Sequence, residues 1–113
     1  MTAEEKSDLY DFCILGYGLE YQTLMLAEEC SELVKAASKA CRYHKDPQKE
    51  IEQEKSLSLV GALTEEIADV EIMIEQMEQF YCIPKKEVER IKQKKLERLV
   101  GRIRSANEKR NFD

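Results

Sequence analysis

Apolar residues recur at steps of three and four along most of this chain, and that spacing limits the possible folds more than any other feature. The spacing matches the 3.6-residue turn of an α-helix, whereas a half-buried strand would show strict alternation. Only four glycines and two prolines interrupt the 113 residues, and aromatic residues make up 7% of them. This composition favours helices over a β-rich fold, so the sequence predicts an all-α protein.

The glycines and prolines divide the chain into about four predicted helices. The first covers residues 3–15 and ends at Gly16 and Gly18, the second covers residues 20–43, and the third covers residues 57–81. Pro84 suits the first turn of a fourth helix, which is expected to end near residue 105 before a charged tail.

Helices two and three, one connection apart, are expected to form an antiparallel hairpin within a helical bundle. The connection, residues 44–55, is polar and has no apolar period. We expect a loop or a loosely ordered helical extension there, which could cover a site. Residues 1–113 are predicted to form a single domain, and a domain of this size makes self-association plausible.

Charge and hydropathy limit the partners and the location. The formal net charge of -5 and the pI near 5.1 argue against a nucleic acid or an anionic membrane as partner. The start of the chain does not resemble a signal peptide, and no apolar run approaches the roughly 20 residues that span a bilayer. We therefore expect a cytoplasmic protein.

The four cysteines lack the spacing of a zinc site, and His44 is the only histidine. We therefore expect neither structural zinc nor a disulfide. Cys30 and Cys41 are predicted to lie on the apolar side of the second helix, where a free thiol acts as a small hydrophobe.

The second helix carries two glutamates on its apolar side. Glu29 falls inside the apolar stripe and Glu32 falls at its edge, whereas Glu28 points away from it. The predicted stripe consists of Leu26, Cys30, Leu33, Ala37, Ala40 and Cys41.

The third helix repeats this departure more clearly. Glu66 occupies the centre of an apolar stripe, and Asp69 lies on its flank. A carboxylate in that position is costly unless it meets a counter-charge or a metal. The stripe consists of Leu59, Leu63, Val70, Met73 and Met77, and the glutamates predicted to be solvated are Glu65, Glu71, Glu75 and Glu78.

Residues at i and i+3 share one side of a helix, so each helix presents a pair of carboxylates. In an antiparallel hairpin the two pairs can converge into an all-oxygen site, which suits Mg²⁺ or Mn²⁺. Without metal the carboxylates would repel one another and their pKa values would rise. A structural network of ion pairs, or a mistaken helix phase, are the alternatives to metal binding.

The order Glu28-Glu29-x-x-Glu32 followed by Glu66-x-x-Asp69 resembles the EExxE…ExxD signature of the MazG-like, all-α nucleoside triphosphate pyrophosphohydrolases. The surrounding segments LAEECSELVK and LTEEIADV are also similar to that family, and the resemblance covers residues 17–103. The 33 residues between the two halves are slightly more than is usual in the family.

This resemblance implies a helical bundle that forms a homodimer or homotetramer, with sites built partly at the interface. It implies Mg²⁺-dependent hydrolysis of a nucleoside or deoxynucleoside triphosphate to the monophosphate and pyrophosphate. The positions that match the family's catalytic metal ligands are Glu29, Glu32, Glu66 and Asp69, and those that match its variable acidic positions are Glu28 and Glu65.

Cations of the fourth helix are candidates for binding the substrate phosphates. Lys95 and Arg102 fall within its apolar stripe and Arg98 falls beside it, while Lys35 is a weaker candidate on the second helix. The alternative is that these side chains snorkel or pair with glutamates of the third helix. Base specificity stays unassigned, because aromatic residues on helices more often belong to a core or an interface than to a base pocket; the aromatic candidates are Tyr17, Tyr21, Tyr43 and Phe80.

Two other functions fit the same pattern. One is the related phosphoribosyl-ATP pyrophosphohydrolase, although the motif context is less similar to it. The other is a non-enzymatic helical adaptor whose acidic face binds a partner helix. An adaptor should tolerate Glu66→Gln, whereas an enzyme should lose its activity.

Overall fold

The computed structural model describes the backbone of residues 1–112 and the side chains of residues 1–110. Within that part the chain contains no strand and folds into four helices, which confirms the all-α prediction. The helices are α1 (Ala3–Tyr17), α2 (Leu19–Lys45), α3 (Gln53–Phe80) and α4 (Lys85–Phe112).

A capped start and a glycine end define α1. The Thr2 hydroxyl accepts the backbone N–H of Glu5 at 3.1 Å, which satisfies one of the donors left free at a helix N-terminus. Gly18 has a φ of +93° and serves both as the C-cap of α1 and as the residue preceding α2. A side chain would be strained there, so the sharp break between the two helices depends on this glycine.

The connection between α2 and α3 is shorter than predicted, because α2 continues through Lys45 and α3 already begins at Gln53. Residues 46–52 remain non-helical. The Tyr43 hydroxyl accepts the backbone N–H of Glu52 at 2.8 Å, and Nε2 of His44 lies 2.7 Å from the Ser56 hydroxyl. These contacts tie the end of α2 to the start of α3.

The chain divides into two compact units, Met1–Tyr81 and Cys82–Asp113. In the first unit α2 and α3 make the most extensive contact, and α1 packs against both. The side chains that form its apolar core are Tyr10, Ile14, Ala40, Leu59, Val70 and Met73. That residues 1–113 behave as a single domain stays a prediction.

The contact of α2 with α3 follows a seven-residue repeat. Along α2 a series of buried and half-buried positions recurs at alternating steps of four and three, and α3 contains a matching series, which is the pattern of a coiled-coil seam. The seam positions are Gln22, Leu26, Glu29, Leu33, Ala36 and Ala40 in α2 and Leu59, Leu63, Glu66, Val70, Met73 and Met77 in α3.

This seam is narrower than the predicted stripe of the second helix. Cys30, Ala37 and Cys41 each lie one residue beyond a seam position and are exposed, so their prediction as apolar-face residues was wrong. The physical reason is that two long helices in a hairpin bury mainly the positions that face each other. All four cysteines are free thiols.

The second unit consists mainly of α4. The carbonyl of Pro84 accepts the N–H groups of Glu87 and Val88, and the helix then continues to Phe112. The predicted end near residue 105 was therefore wrong, and the charged segment beyond it is helical. Apart from the half-buried Val88, every described side chain of α4 is exposed.

Among residues 1–112, none of the four helices contains a stretch apolar enough to cross a lipid bilayer.

Candidate metal centre

Two carboxylates occupy seam positions in the α2–α3 hairpin. Glu29 and Glu66 are both half-buried, whereas their sequence neighbours Glu28 and Glu65 are exposed. The helix phase inferred from the sequence therefore distinguished the inward-facing glutamate from the outward-facing one in both helices. Each inward side chain takes a place that an apolar residue would normally fill.

The antiparallel hairpin brings three of the four predicted carboxylates together. Glu29, Glu66 and Asp69 each offer a carboxylate oxygen, and these three oxygens lie within 4.8 Å of one another. Asp69 is exposed, so the cluster opens to solvent on its side. One cation at the centre could contact all three side chains, and the all-oxygen donor set fits Mg²⁺ or Mn²⁺.

The Glu66 carboxylate lacks the hydrogen bonds or counter-charge that a half-buried charge requires. Its Oε2 is buried and has no hydrogen-bond partner among the described residues. Burial raises the pKa of Glu66 above its usual value, and the charges of Asp69, Glu32 and Glu65 raise it further. A divalent cation would supply the missing partner and neutralise the repulsion, so the residues present fit such an ion.

The pKa of Glu29 is raised by the same kinds of interaction. Burial is the largest cause that raises its pKa, followed by the charges of Asp69 and Glu66. The shifts of Glu29 and Glu66 agree with the expectation that this cluster repels itself in the absence of metal.

Glu32 lies beside the cluster but is not one of its three members. Nζ of Lys35, one turn further along α2, donates a hydrogen bond to Oε1 of Glu32 at 3.3 Å. Its charge nevertheless raises the pKa values of both Glu29 and Glu66, which places it within electrostatic reach of them. Lys35, a weak candidate for phosphate binding, is therefore engaged by a carboxylate in this structure.

The predicted phosphate-binding cations of α4 belong to the second unit. Arg98, Arg102 and Lys109 surround a shallow depression on one side of the helix, and Lys95 does not line it. All four side chains are exposed. Their role toward substrate phosphates stays a prediction.

The aromatic candidates are divided between two ends of the hairpin. Tyr17 and Tyr21 are exposed, with ring centroids 5.8 Å apart, at the junction of α1 and α2. The Tyr43 hydroxyl is hydrogen-bonded to Glu52 at the end of the α2–α3 connection. Phe80 packs edge-on against Tyr81. The structure assigns none of them to a nucleobase.

One polar cluster was missed by the sequence analysis. Glu75 was predicted to be solvated, yet its carboxylate accepts a short hydrogen bond from the Tyr10 hydroxyl and lies 3.4 Å from Nζ of Lys6. Desolvation raises the pKa of Tyr10 to about 12, and the hydrogen bond to Glu75 contributes to the rise. The periodicity of α3 could not reveal this contact, because α1 packs on a different side of α3 from α2.

No protein-family model matches the chain, and no curated protein or solved structure is significantly similar to it. The membership in the MazG-like family thus rests on the motifs alone and stays a proposal.

Proposed function

We propose that this chain is a Mg²⁺-dependent nucleotide pyrophosphohydrolase that converts a nucleoside or deoxynucleoside triphosphate to its monophosphate and pyrophosphate. The observation that carries the proposal is the unpartnered, buried oxygen of Glu66 within a cluster of three carboxylates. An acidic cluster on a surface is common without metal. A buried carboxylate oxygen in a helix seam, facing two further carboxylates, is not expected in a structural ion-pair network.

In the proposed site Glu29, Glu66 and Asp69 hold the cation. Mg²⁺ would neutralise the polyphosphate and lower the pKa of the attacking water. Glu32 is the fourth ligand in this proposal. Its pairing with Lys35 does not oppose that role, because an exposed ion pair contributes little to stability.

Released from Glu32, Lys35 would be free to contact a phosphate beside the cluster. Lys95, Arg98 and Arg102 keep the same proposed role on α4, because guanidinium and ammonium groups suit phosphate oxygens. The proposed location is the cytoplasm, where nucleoside triphosphates are abundant. Manganese is expected to substitute for magnesium.

The adaptor alternative has one observation in its favour. Large apolar side chains remain exposed on every helix, and such surfaces often serve protein contacts. An adaptor, however, gives no reason for a carboxylate at the centre of a buried seam. The phosphoribosyl-ATP pyrophosphohydrolase alternative uses the same metal centre and differs only in its substrate.

The test is a panel assay of the purified protein with each common ribonucleoside and deoxyribonucleoside triphosphate, and with phosphoribosyl-ATP. Products are separated by chromatography in Mg²⁺ and in EDTA. We expect monophosphate and pyrophosphate from at least one triphosphate, and none in EDTA.

Glu66→Gln and Glu54→Gln form a matched pair on α3, because both remove one negative charge and Glu54 is exposed in its first turn. Glu66→Gln should reduce the rate at least about 100-fold, since even outer partners of metal ligands cost about 10–100-fold. Glu54→Gln should leave the rate unchanged. Diphosphate and orthophosphate as products, or no turnover of any substrate, would contradict the proposal.

A further inference from the structure

The carboxylate cluster lies between a closed part and an open part of the α2–α3 contact. On the side away from the α2–α3 connection, Gln22 and Gln76 are each seven residues from a member of the cluster, Glu29 and Asp69 respectively. The two glutamine side chains are hydrogen-bonded to each other and are 5% and 4% exposed, which closes the contact there. A ligand that binds the cluster and follows the hairpin must therefore extend toward the connection.

Lys39 lies along this open direction. It follows Glu32 by seven residues, so both lie on the same side of α2, about 10.5 Å apart along the helix axis. Because α3 runs antiparallel to α2, the corresponding position on α3 is Ala62, seven residues before Asp69. Lys39 and Ala62 are both exposed, and Ala62 presents only a methyl group. The surface next to the cluster therefore combines one cation with a small neighbour.

The geometry of an α-helix directs the Lys39 side chain toward the cluster. Each Cα–Cβ bond of a helix is tilted toward the N-terminus, and Lys39 comes after Glu29 and Glu32 in α2. Two helical turns are still too long for a direct ion pair, and Lys39 makes none among the described residues. A chain of linked phosphate groups on the cation would bridge that separation.

Lys35 is less well placed for the same role. It lies three residues after Glu32, which turns it about 60° further from α3. Its side chain is 70% exposed and its Nζ is 3.3 Å from the Glu32 carboxylate. Lys39 has no such carboxylate to leave before it meets a phosphate.

A triphosphate needs a protein cation at this place for an electrostatic reason. Residues 1–81 contain 18 aspartates and glutamates but only 7 lysines and arginines. This excess of negative charge repels a polyphosphate, and one divalent cation offsets only part of the repulsion.

We propose that Lys39 binds the phosphate groups of the substrate that extend from the metal centre toward the α2–α3 connection. The inference rests on the proposed pyrophosphohydrolase function, because it requires a polyphosphate on the cation. The ammonium group of a lysine binds phosphate oxygens as a point charge. Lys39 therefore sets the affinity for the phosphate chain and not the affinity for the metal.

Isothermal titration calorimetry of the full chain with inorganic tripolyphosphate, at a fixed concentration of Mg²⁺, tests the proposal. Lys39→Ala should raise the Kd for tripolyphosphate at least about ten-fold, the effect of losing one hydrogen bond between charged groups. Lys39→Arg should stay within about three-fold of the original protein, because it keeps the charge and the donors. In a titration with Mg²⁺ alone, Lys39→Ala should change the Kd less than about two-fold, since salt screens the distant charge.

Lys45→Ala is the matched control on α2. Lys45 is exposed in the last turn of the helix, on the side that faces away from α3. The variant loses the same charge as Lys39→Ala, but it should change the Kd for tripolyphosphate less than about two-fold. Circular dichroism checks that both variants keep their helices.

The possible results separate the role of Lys39 from the hydrolytic function. Equal effects of Lys39→Ala and Lys45→Ala would overturn the role of Lys39, even if the protein hydrolyses nucleotides in the panel assay. No binding of tripolyphosphate, or binding unchanged in EDTA, would also overturn it, because the phosphates would not lie on the metal centre. Mg²⁺-dependent binding that is weakened in Lys39→Ala, without turnover of any nucleotide, would support Lys39 and contradict only the hydrolytic reaction.

Discussion

Glu66 has a buried carboxylate oxygen, Oε2, that has no hydrogen-bond partner among the described residues. Glu66→Gln removes the charge while keeping the shape, so we expect the metal-free variant to unfold at a higher temperature than the original protein. Mg²⁺ should raise the unfolding temperature of the original protein but have a much smaller effect on the variant. Thermal unfolding in EDTA and in Mg²⁺ measures both effects. A variant that is destabilised in EDTA would show that Glu66 has a structural partner.

The raised pKa values of Glu29 and Glu66 also set a pH dependence. The unfolded chain releases these protons near the ordinary value of 4.5, whereas the folded protein keeps them to higher pH. Metal-free stability from these groups is therefore present below that value and is lost as the pH rises through the raised pKa values. The decrease in unfolding temperature between about pH 5 and about pH 8 should be smaller for the double variant Glu29→Gln/Glu66→Gln. An unchanged decrease would contradict the shifts.

Tyr10 joins α1 to α3 through its hydrogen bond to Glu75. Tyr10→Phe should destabilise the fold by about 1.5–3 kcal/mol, the usual contribution of a hydrogen bond to a charged group. The stability that the Tyr10 proton contributes is lost as the pH rises from 10 to about 12, because the folded protein holds the proton longer. The difference in tyrosinate absorbance between the original protein and Tyr10→Phe should show one titration near pH 12. A titration near pH 10 would remove the basis of this prediction.

At the scale of helices, the α2–α3 hairpin contains a buried polar pair, in which a seam residue of α2 meets a residue of α3 that lies just beside the seam. Nε2 of Gln22 donates to Oε1 of Gln76 at 2.7 Å, and the two side chains are only 5% and 4% exposed. A buried amide without a partner is costly, so the pair favours one alignment of the two helices.

Gln76→Leu should therefore cost about 1–3 kcal/mol, because the Gln22 amide loses its partner. The double variant Gln22→Leu/Gln76→Leu should recover most of that loss, since both polar groups are removed together. Urea unfolding of the three proteins measures the coupling. Additive effects of the two substitutions would show that the pair does not act as a unit.

At the scale of the whole molecule, the chain buries a small apolar core and exposes large apolar side chains on all four helices. If these surfaces meet between copies, association stabilises the folded state by mass action. The unfolding temperature should then rise when the protein concentration increases from about 2 µM to about 200 µM. A temperature independent of concentration would argue against self-association.

The period of the apolar residues was enough to predict that the chain forms four helices and roughly where each one lies in the sequence. Because side chains on a regular helix are fixed in direction by backbone geometry, the period also separated Glu29 from Glu28 and Glu66 from Glu65. It did not give the width of the contact between α2 and α3. The exposure of Cys30 follows from a narrow two-helix seam, which is a property of the partner helix and not of α2 alone.

The sequence by itself determined the helices and the inward direction of Glu29 and Glu66, because both follow from local geometry that repeats along the chain. Only the tertiary structure decided that Asp69 joins these two within 4.8 Å and that Glu32 is not a member of the cluster. It also decided that the Glu75 carboxylate accepts a hydrogen bond from Tyr10. These outcomes depend on how far apart helices pack and on which turns face each other, and no single helix encodes those distances.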